Sequence, residues 1–377
     1  MNINRIKSLI DSMCPEGVPQ YRIDSLCNIS RGKVMSKDYI KEHEGVYPVY
    51  SSQTENNGEL GRISTYEYDG EFLTWTTDGA NAGSVFYRNG RFSVTNVCGL
   101  LEIRDKNSLI AKYLYYILGF EAPKYVSKGM GNPKLMSNVM ARVKVPIPPL
   151  DIQIEIVKTL DVFENLGSNL LEELMERKKQ YSYVASKLFK SVRKNSQRIQ
   201  LNSVCNVEKG KTPIQKAIPG EYPMVVTASE RKSNIDFQFD SKTVCIPLVS
   251  SRGHGVASLN HVYYQEGKFA LGNILCAVTP KLESTLNAKY LYYYFELTKD
   301  YTLVPLMKGG ANVSLRTDDI AKVSIPVPQL DTQNHIVEVL DTFDNLCNDT
   351  TGVLSEEIKL RKQQYDYYRK TIFRYLM

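Results

Sequence analysis

Apolar residues recur at alternating spacings of three and four along two stretches of the chain. In the first they are Leu160, Phe163, Leu170, Leu174, Tyr181, Val184 and Leu188, with Gly167 and Arg177 off the pattern. In the second they are Leu340, Phe343, Leu354, Ile358, Tyr365, Tyr368 and Ile372, with Arg361 in the same off-pattern slot. This period is the seam of a coiled coil and predicts two helices of about 40 to 45 residues each. Each follows a proline-rich junction, Pro146-Ile147-Pro148-Pro149 or Pro326-Val327-Pro328-Gln329. Proline fixes its own φ and biases its predecessor away from helix, so the junctions are extended. Asp151 and Asp331 then supply N-cap or first-turn carboxylates. The second stretch carries extra residues near Thr350 to Leu354, which read as a stutter that locally unwinds the supercoil. At the start of the chain, Ile3, Ile6, Leu9, Ile10 and Met13 predict a short amphipathic helix packed near the coil's end.

The remaining stretches, 17–149 and 195–329, read as mixed α/β modules. Short β-rich runs such as Tyr47-Pro48-Val49-Tyr50, Phe72-Leu73-Thr74-Trp75-Thr76 and Lys242-Thr243-Val244-Cys245-Ile246 are punctuated by Gly and Asn turns. One aromatic helix sits late in each module, Tyr113–Leu118 and Tyr290–Phe295. Its tyrosine stripe reads as core rather than as a platform for stacked bases.

The two halves are copies of one plan. Pro146-Ile147-Pro148-Pro149-Leu150-Asp151-Ile152-Gln153 returns as Pro326-Val327-Pro328-Gln329-Leu330-Asp331-Thr332-Gln333. Ala111-Lys112-Tyr113-Leu114-Tyr115-Tyr116 returns as Ala288-Lys289-Tyr290-Leu291-Tyr292-Tyr293, and Arg177-Lys178-Lys179-Gln180-Tyr181 as Arg361-Lys362-Gln363-Gln364-Tyr365. Cys27-Asn28 with Gly32-Lys33 matches Cys205-Asn206 with Gly210-Lys211. Gly129 and Asn132 match Gly309 and Asn312. So many matches in one order mark a duplication. The predicted fold class is α+β, a pseudo-two-fold internal repeat of two similar α/β modules separated by two long helices that form an antiparallel coiled coil. Its domains are an N-terminal amphipathic segment 1–16, a first module 17–149, a central spacer helix 150–194, a second module 195–329 and a C-terminal spacer helix 330–377.

Charge sets the direction of pairing. Residues 151–176 hold seven carboxylates and one lysine, and 177–194 hold seven bases and no acid; 331–357 hold seven acids and no base, and 358–374 six bases and Asp366. Antiparallel pairing sets each acidic half against a basic one, whereas matching each helix to its own macrodipole explains the helices singly and leaves the apolar seam without a partner. The net charge is +6, and +7 lies outside the two long helices, a modest footprint for a polyanion partner. Apolar residues make up 42% and charged residues 23%, values of a globular chain with a core. The sequence shows no apolar run near the roughly 18 residues of a membrane span and no signal-peptide core over Met1–Ile10. Seven cysteines without a Cys-x-x-Cys pair argue for reduced thiols in a cytoplasm rather than for disulfides or zinc.

Catalytic patterns are missing from the sequence. The four histidines, His43, His254, His261 and His335, have no metal-ligand spacing. Gly210-Lys211-Thr212 lacks the first glycine of a phosphate loop, since Cys205 stands there, and Gly32-Lys33-Val34 lacks its hydroxyl. Gly129-Met130-Gly131 opens no dinucleotide fingerprint. Asn132-Pro133-Lys134-Leu135 lacks the second proline and the aromatic of an adenine-methylase motif.

A duplicated chain of variable module plus coil helix, with Pro-x-Pro-x-Leu-x-x-Gln at both junctions, resembles the specificity (S) subunit of type I restriction-modification systems. The resemblance covers nearly the whole chain and is strongest at the junctions and the helices after them. It implies that each module is a DNA target-recognition domain and that the helices are spacers. It implies a non-catalytic chain with no cofactor of its own, docking two methyltransferase subunits that bind S-adenosylmethionine and restriction (motor-nuclease) subunits that use ATP. The target it implies is a split, asymmetric double-stranded DNA sequence, and the setting cytoplasmic, with no membrane partner. Two modules that read different half-sites at a separation set by a stiff coil fit that role. The alternative is a duplicated coiled-coil scaffold whose modules bind protein or glycan, which explains the coil but not the junctions.

The residues expected at DNA lie in polar, glycine-rich loops. They are Arg31, Lys33, Asn81, Lys128 and Asn132 in the first module, and Lys209, Lys211, Arg252, His254, Lys308 and Asn312 in the second. Arg and Asn can read guanine and adenine edges bidentately, while Lys more often holds phosphate.

Overall fold

The computed structural model describes residues 3–127, 131–228, 232–348 and 352–377. The chain divides into two compact units, Met1–Asn169 with Ile358–Met377, and Leu170–Glu357. In the first unit the strands are β1 (Gln20–Arg22), β2 (Cys27–Arg31), β3 (Glu44–Tyr50), β4 (Glu59–Ile63), β5 (Tyr68–Thr76), β6 (Val85–Val94), β7 (Cys98–Ile103) and β8 (Lys144–Pro146). Six of them form one sheet in the order β2-β7-β5-β6-β3-β4, and β1 pairs with β8 beside it. All neighbours are antiparallel except β3 and β6, which run parallel through Val49↔Ser93 and Tyr50↔Val94. The alternation along β5 loads both faces of this sheet. Leu73 and Trp75 point to a core built on the helix Ala111–Glu121, and Phe72 joins Phe92, Val94, Cys98 and Leu100 on the other face.

The second unit repeats the plan with a break. Its strands are β9 (Arg198–Gln200), β10 (Cys205–Lys209), β11 (Tyr222–Val225), β12 (Lys232–Asn234), β13 (Phe239–Asp240), β14 (Thr243–Pro247), β15 (Tyr263–Gln265), β16 (Lys268–Leu271), β17 (Leu275–Pro280) and β18 (Ser324–Pro326). They form the orders β10-β17-β14-β15 and β12-β11-β16-β13, with β18 on β9. The parallel pair recurs as β11 and β16. Where the first unit has the unbroken β6, the second has β15 and β16, parted at Glu266-Gly267. Gly90 and Gly267 sit at the same place in the two copies, both at positive φ (100° and 74°), a conformation that costs glycine little.

Prolines end each module, and a glutamine ties it to the helix that follows. The central helix, Leu150–Asn195, is 46 residues long and unbroken. Gln153 in its first turn is fully buried. Its Oε1 accepts from Ile110 N at 3.0 Å, and its Nε2 donates to Ser108 O (2.9 Å) and Pro148 O (2.8 Å). Gln333 does the same in the second unit, accepting from Asn287 N (2.8 Å) and donating to Thr285 O (3.0 Å) and Pro328 O (2.8 Å). Asp151 and Asp331 are first-turn residues, and the N-cap of the second helix is Gln329.

Within each unit the long helices pair antiparallel. In the first, Phe163 lies 4.9 Å from Tyr368 and 6.5 Å from Tyr365, ring to ring. In the second, Tyr181 lies 6.0 Å from Phe343. Phe163 and Phe343 are matched residues of the repeat, as are Tyr181 and Tyr365, so one aromatic pair is used twice.

Two expectations about these helices need correction. The C-terminal stretch is not one helix with a stutter: it comprises Leu330–Cys347 and Val353–Tyr375. Asn348 caps the first piece with ψ at 130°, outside helical space. The sequence from Asn348 to Gly352 consists of residues that favour caps and turns over helix interiors. Of the expected stutter, Thr350 lies outside the described residues, and Gly352 to Leu354 hold the restart. The seam also drifts at its end. Leu160, Phe163, Leu340 and Ile372 are buried, while Leu170, Leu174, Leu354, Ile358, Phe343, Tyr365 and Tyr368 are half-buried. Val184 and Leu188 are half-buried as well, and Ala185, Phe189 and Val192 take the deep positions. The helix there turns its face to the module helix Ala288–Thr302, with Phe189 5.8 Å from both Tyr290 and Tyr294.

The N-terminal helix Ile3–Met13 contributes Ile6 and Ile10 to the same cluster as Ile372, Phe373 and Leu376. Tyr113, Tyr116, Tyr290 and Tyr293 are buried, so the tyrosine stripe is core. Among the described residues, no helix is long and apolar enough to cross a membrane, and no group of three or more metal-ligating side chains gathers.

Candidate functional site

The loops at one end of the first unit's sheet are stitched together by short bonds. Arg31, the last residue of β2, donates from Nε to Ser137 Oγ (3.2 Å) and from Nη2 to Met136 Sδ (3.5 Å). The segment just before, at Pro133, accepts from Gly79 N at 3.1 Å in the turn that carries Asn81. Asn81 Nδ2 donates to Thr54 Oγ1 at 2.8 Å. Lys33 bridges to Thr95, whose hydroxyl donates to Ser51 Oγ at 3.0 Å. Arg31, Lys33, Asn81 and Asn132 therefore sit on neighbouring loops, all four exposed. Lys128 lies outside the described residues.

The second unit gathers its candidates in two groups. Lys209 and Lys211 flank a buried glycine and are held by Gln238, whose Nε2 donates to Lys209 O (3.0 Å) while its Oε1 accepts from Lys211 N (2.9 Å). Arg252 and His254 lie on a loop bonded to the strand-like segment that carries Lys308 and Asn312, through Ser250 N to Val313 O (3.0 Å) and Gly255 N to Ala311 O (3.2 Å). His254 sits at φ 60°, a rare conformation for a residue with a side chain.

Two of the candidate lysines already have acid partners. Lys33 Nζ lies 2.7 Å from Glu67, and Lys308 Nζ lies 3.6 Å from Asp319. The Glu67 carboxylate raises the pKa of Lys33 through its hydrogen bond. Both lysines are exposed, so water screens these pairs. The glycines beside Lys33 and Lys211 serve packing. A Cβ on Gly32 would fall 1.7 Å from Val94 O, and one on Gly210 would fall 2.1 Å from Gly272 O. Close approach of two backbones accounts for the repeated Gly-Lys without a phosphate loop.

Sequence reasoning passed over the polar ties between module and coil. Lys112 Nζ lies 2.9 Å from Asp161, and the Tyr116 hydroxyl lies 2.5 Å from Asp161 and 2.7 Å from Glu164, sharing its one proton between them. Lys289 Nζ lies 2.7 Å from Asp341, and Tyr293 donates to Asp341 at 2.6 Å. Burial and the acceptor carboxylates push both tyrosine pKa values far up, so they stay protonated donors. The signal was present: both ends of each tie lie in segments that match between the halves.

Two variable α/β modules, each tied by a matched junction to an antiparallel helix pair and each ending in a polar loop cluster, define a duplicated recognition protein. Known proteins give that class its family. Residues 15–177 and 193–360 each match the type I restriction modification DNA specificity domain. A putative type I specificity subunit of Mycoplasma pneumoniae is 33% identical over 367 residues, covering 94% of this chain and 97% of that one. The specificity subunit of the MpnII type I restriction enzyme from the same organism is 43% identical over 189 residues, 48% of this chain and 57% of its own length. The fold resembles the S subunit of a type I restriction-modification system from M. genitalium, with a TM-score of 0.65 at 17% identity, covering 94% of this chain and 96% of that one. The chain belongs to the type I restriction-modification specificity-subunit family, with two specificity domains in one polypeptide. Nothing among these relatives supports the scaffold alternative.

Proposed function

We propose that this chain selects a bipartite, asymmetric DNA sequence, one half-site per module, for a type I modification and restriction complex. The modules 17–149 and 195–329 act as the two readers, 150–194 and 330–377 as spacers, and 1–16 as a lead-in to the first module. The chain itself performs no chemistry. It docks two methyltransferase subunits that carry S-adenosylmethionine, and restriction subunits that use ATP, in the cytoplasm where the DNA lies. Arg31, Asn81, Asn132, Arg252, His254 and Asn312 are the proposed base and groove contacts, and Lys33, Lys128, Lys209, Lys211 and Lys308 the phosphate contacts. The observation that carries the reading is the duplication itself, in which the same glutamine-tied junction follows two modules whose loops differ. Single-molecule sequencing of methylated adenines, with this gene intact and deleted, tests it. Loss of one split, asymmetric motif on deletion is the expected result. An unchanged methylome with the partner methyltransferase expressed refutes it.

A further inference from the structure

One side chain of the first unit's sheet is explained neither by its core nor by its loop cluster. Arg88, in β6, is 3% exposed. Its Nε donates to Thr74 Oγ1 at 3.0 Å, while among the described residues Nη1 and Nη2 meet no acceptor in good hydrogen-bond geometry, the Tyr50 phenol being the polar group that interacts with the guanidinium. The guanidinium lies 3.6 Å from the centre of the Tyr50 ring and 4.6 Å from that of Phe86. Burial lowers its pKa. The aromatic faces offset part of the desolvation of the charge, but terminal N–H groups without a well-placed acceptor remain a cost to the free fold.

The end of the loop Ser51–Gly58 lies beside it. A Cβ on Gly58 would fall 3.0 Å from Arg88 Nη2, so the loop's end touches the guanidinium. Asn56, Asn57 and Gly58 follow one another at φ 47°, 52° and 78°, a left-handed run that includes two residues with side chains. The loop is also continuous with the polar cluster above the sheet, through Thr54 to Asn81 (2.8 Å) and Ser51 to Thr95 (3.0 Å).

We propose that Arg88 is a DNA-reading arginine stored beside Ser51–Gly58. When the module docks, the loop is displaced and Nη1 and Nη2 meet a pair of acceptors on the duplex. This rests on the proposed function and names a specificity residue within it. A guanidinium fork fits the O6 and N7 edge of guanine, and equally two phosphate oxygens. The aromatic slot fixes the plane of the fork, which suits the base edge.

The test compares wild type with Arg88→Met and Arg88→Lys in the full chain, assembled with its methyltransferase subunits. Thermal unfolding and the methylated motif are both read. Arg88→Met is expected to melt no lower than wild type, while methylation of the wild-type motif falls about tenfold to a hundredfold. Arg88→Lys keeps the charge but not the fork, and is expected to share the loss. The half-site read by the second module stays unchanged. Relaxation at one base position assigns the acceptors to a base edge; an even loss over all sequences with a shallower salt dependence assigns them to phosphate. A folded Arg88→Met complex with full methylation overturns the proposal, and so does unfolding of the first unit by this variant, which would make the arginine part of the core. Hydrogen exchange of Ser51–Gly58 in the wild-type complex is expected to change when the methylated duplex is added, and an unchanged rate also overturns it. If the wild-type complex methylates no split motif, the proposed function falls first; if only the Arg88 arms fail, that function stands.

Discussion

Gln153 and Gln333 show how much a single buried amide can fix. Each satisfies two carbonyls and one backbone N–H, most of them partly buried, at the point where a module meets its helix. Alanine at 153 is expected to destabilise the first unit by about 2 to 4 kcal/mol, because each orphaned group costs roughly 1 to 3 kcal/mol. Alanine at 333 should do the same in the second unit, as read by urea unfolding. Both glutamines stand in the repeated junction, so their importance was legible in the sequence. Their partners were not, since Ser108, Ile110, Thr285 and Asn287 lie in loops with no periodic signal. Arg88 was invisible for a related reason: an isolated arginine in a strand reads as a solvated side chain until the fold encloses it.

Protonation acts at the same scale. Burial pushes the thiols of Cys27, Cys205 and Cys276 up to about 12. In the unfolded chain a thiol ionises near pH 8.5 to 9. A folded pKa raised above the unfolded one gives stability that is intact below the unfolded value and is lost as pH rises toward the folded one. Stability is therefore expected to fall between about pH 9 and 12, and the urea midpoint should be lower at pH 10.5 than at pH 8. Equal midpoints would contradict the burial of these thiols.

At the scale of elements, the central helix and the C-terminal helical stretch differ although their sequences match. The central helix runs through Gly167, where a Cβ would meet nothing within 4 Å. The C-terminal stretch is broken, and a Cβ on Gly352 would fall 2.6 Å from the backbone N and O of Asn348. Gly167→Ala is expected to stabilise by about 0.5 to 1 kcal/mol, since alanine loses less backbone freedom in a helix. Gly352→Ala is expected to destabilise by about 1 to 3 kcal/mol through overpacking. Thermal unfolding of the two variants should shift in opposite directions. The heptad spacing made the helices and their antiparallel pairing legible, because charge and seam agree. It could not show the break, since a stutter and an interruption leave the same change in spacing. Nor could it give the parallel pairing of β3 with β6, which depends on a crossover rather than on any local pattern.

At the scale of the molecule, the first unit is assembled from both parts of the chain most distant in sequence. Ile6 and Ile10 share a cluster with Ile372, Phe373 and Leu376, and Phe373 lies 5.4 Å from Phe120, ring to ring. Phe373→Ala is therefore expected to cost the N-terminal module about 3 to 5 kcal/mol, although the substitution is close to the C-terminus. Phe373 is the repeat partner of Phe189, so Phe189→Ala should impose a similar loss on the second unit. A half-chain reading of the sequence would assign each helix to the module that precedes it; the packing assigns each pair of helix ends to one unit.

Trp75 is the sole tryptophan, fully buried in the first unit's core with its indole N–H donating to Leu135 O at 2.9 Å. The chain thus carries an optical tag on one of two nearly duplicate bodies. Emission from that indole follows the first unit alone, while circular dichroism sums over both, so the two signals part company whenever the bodies melt separately. Phe373→Ala should move the fluorescence midpoint, and Phe189→Ala only the dichroism, which turns a duplicated molecule into one whose halves can be timed one at a time.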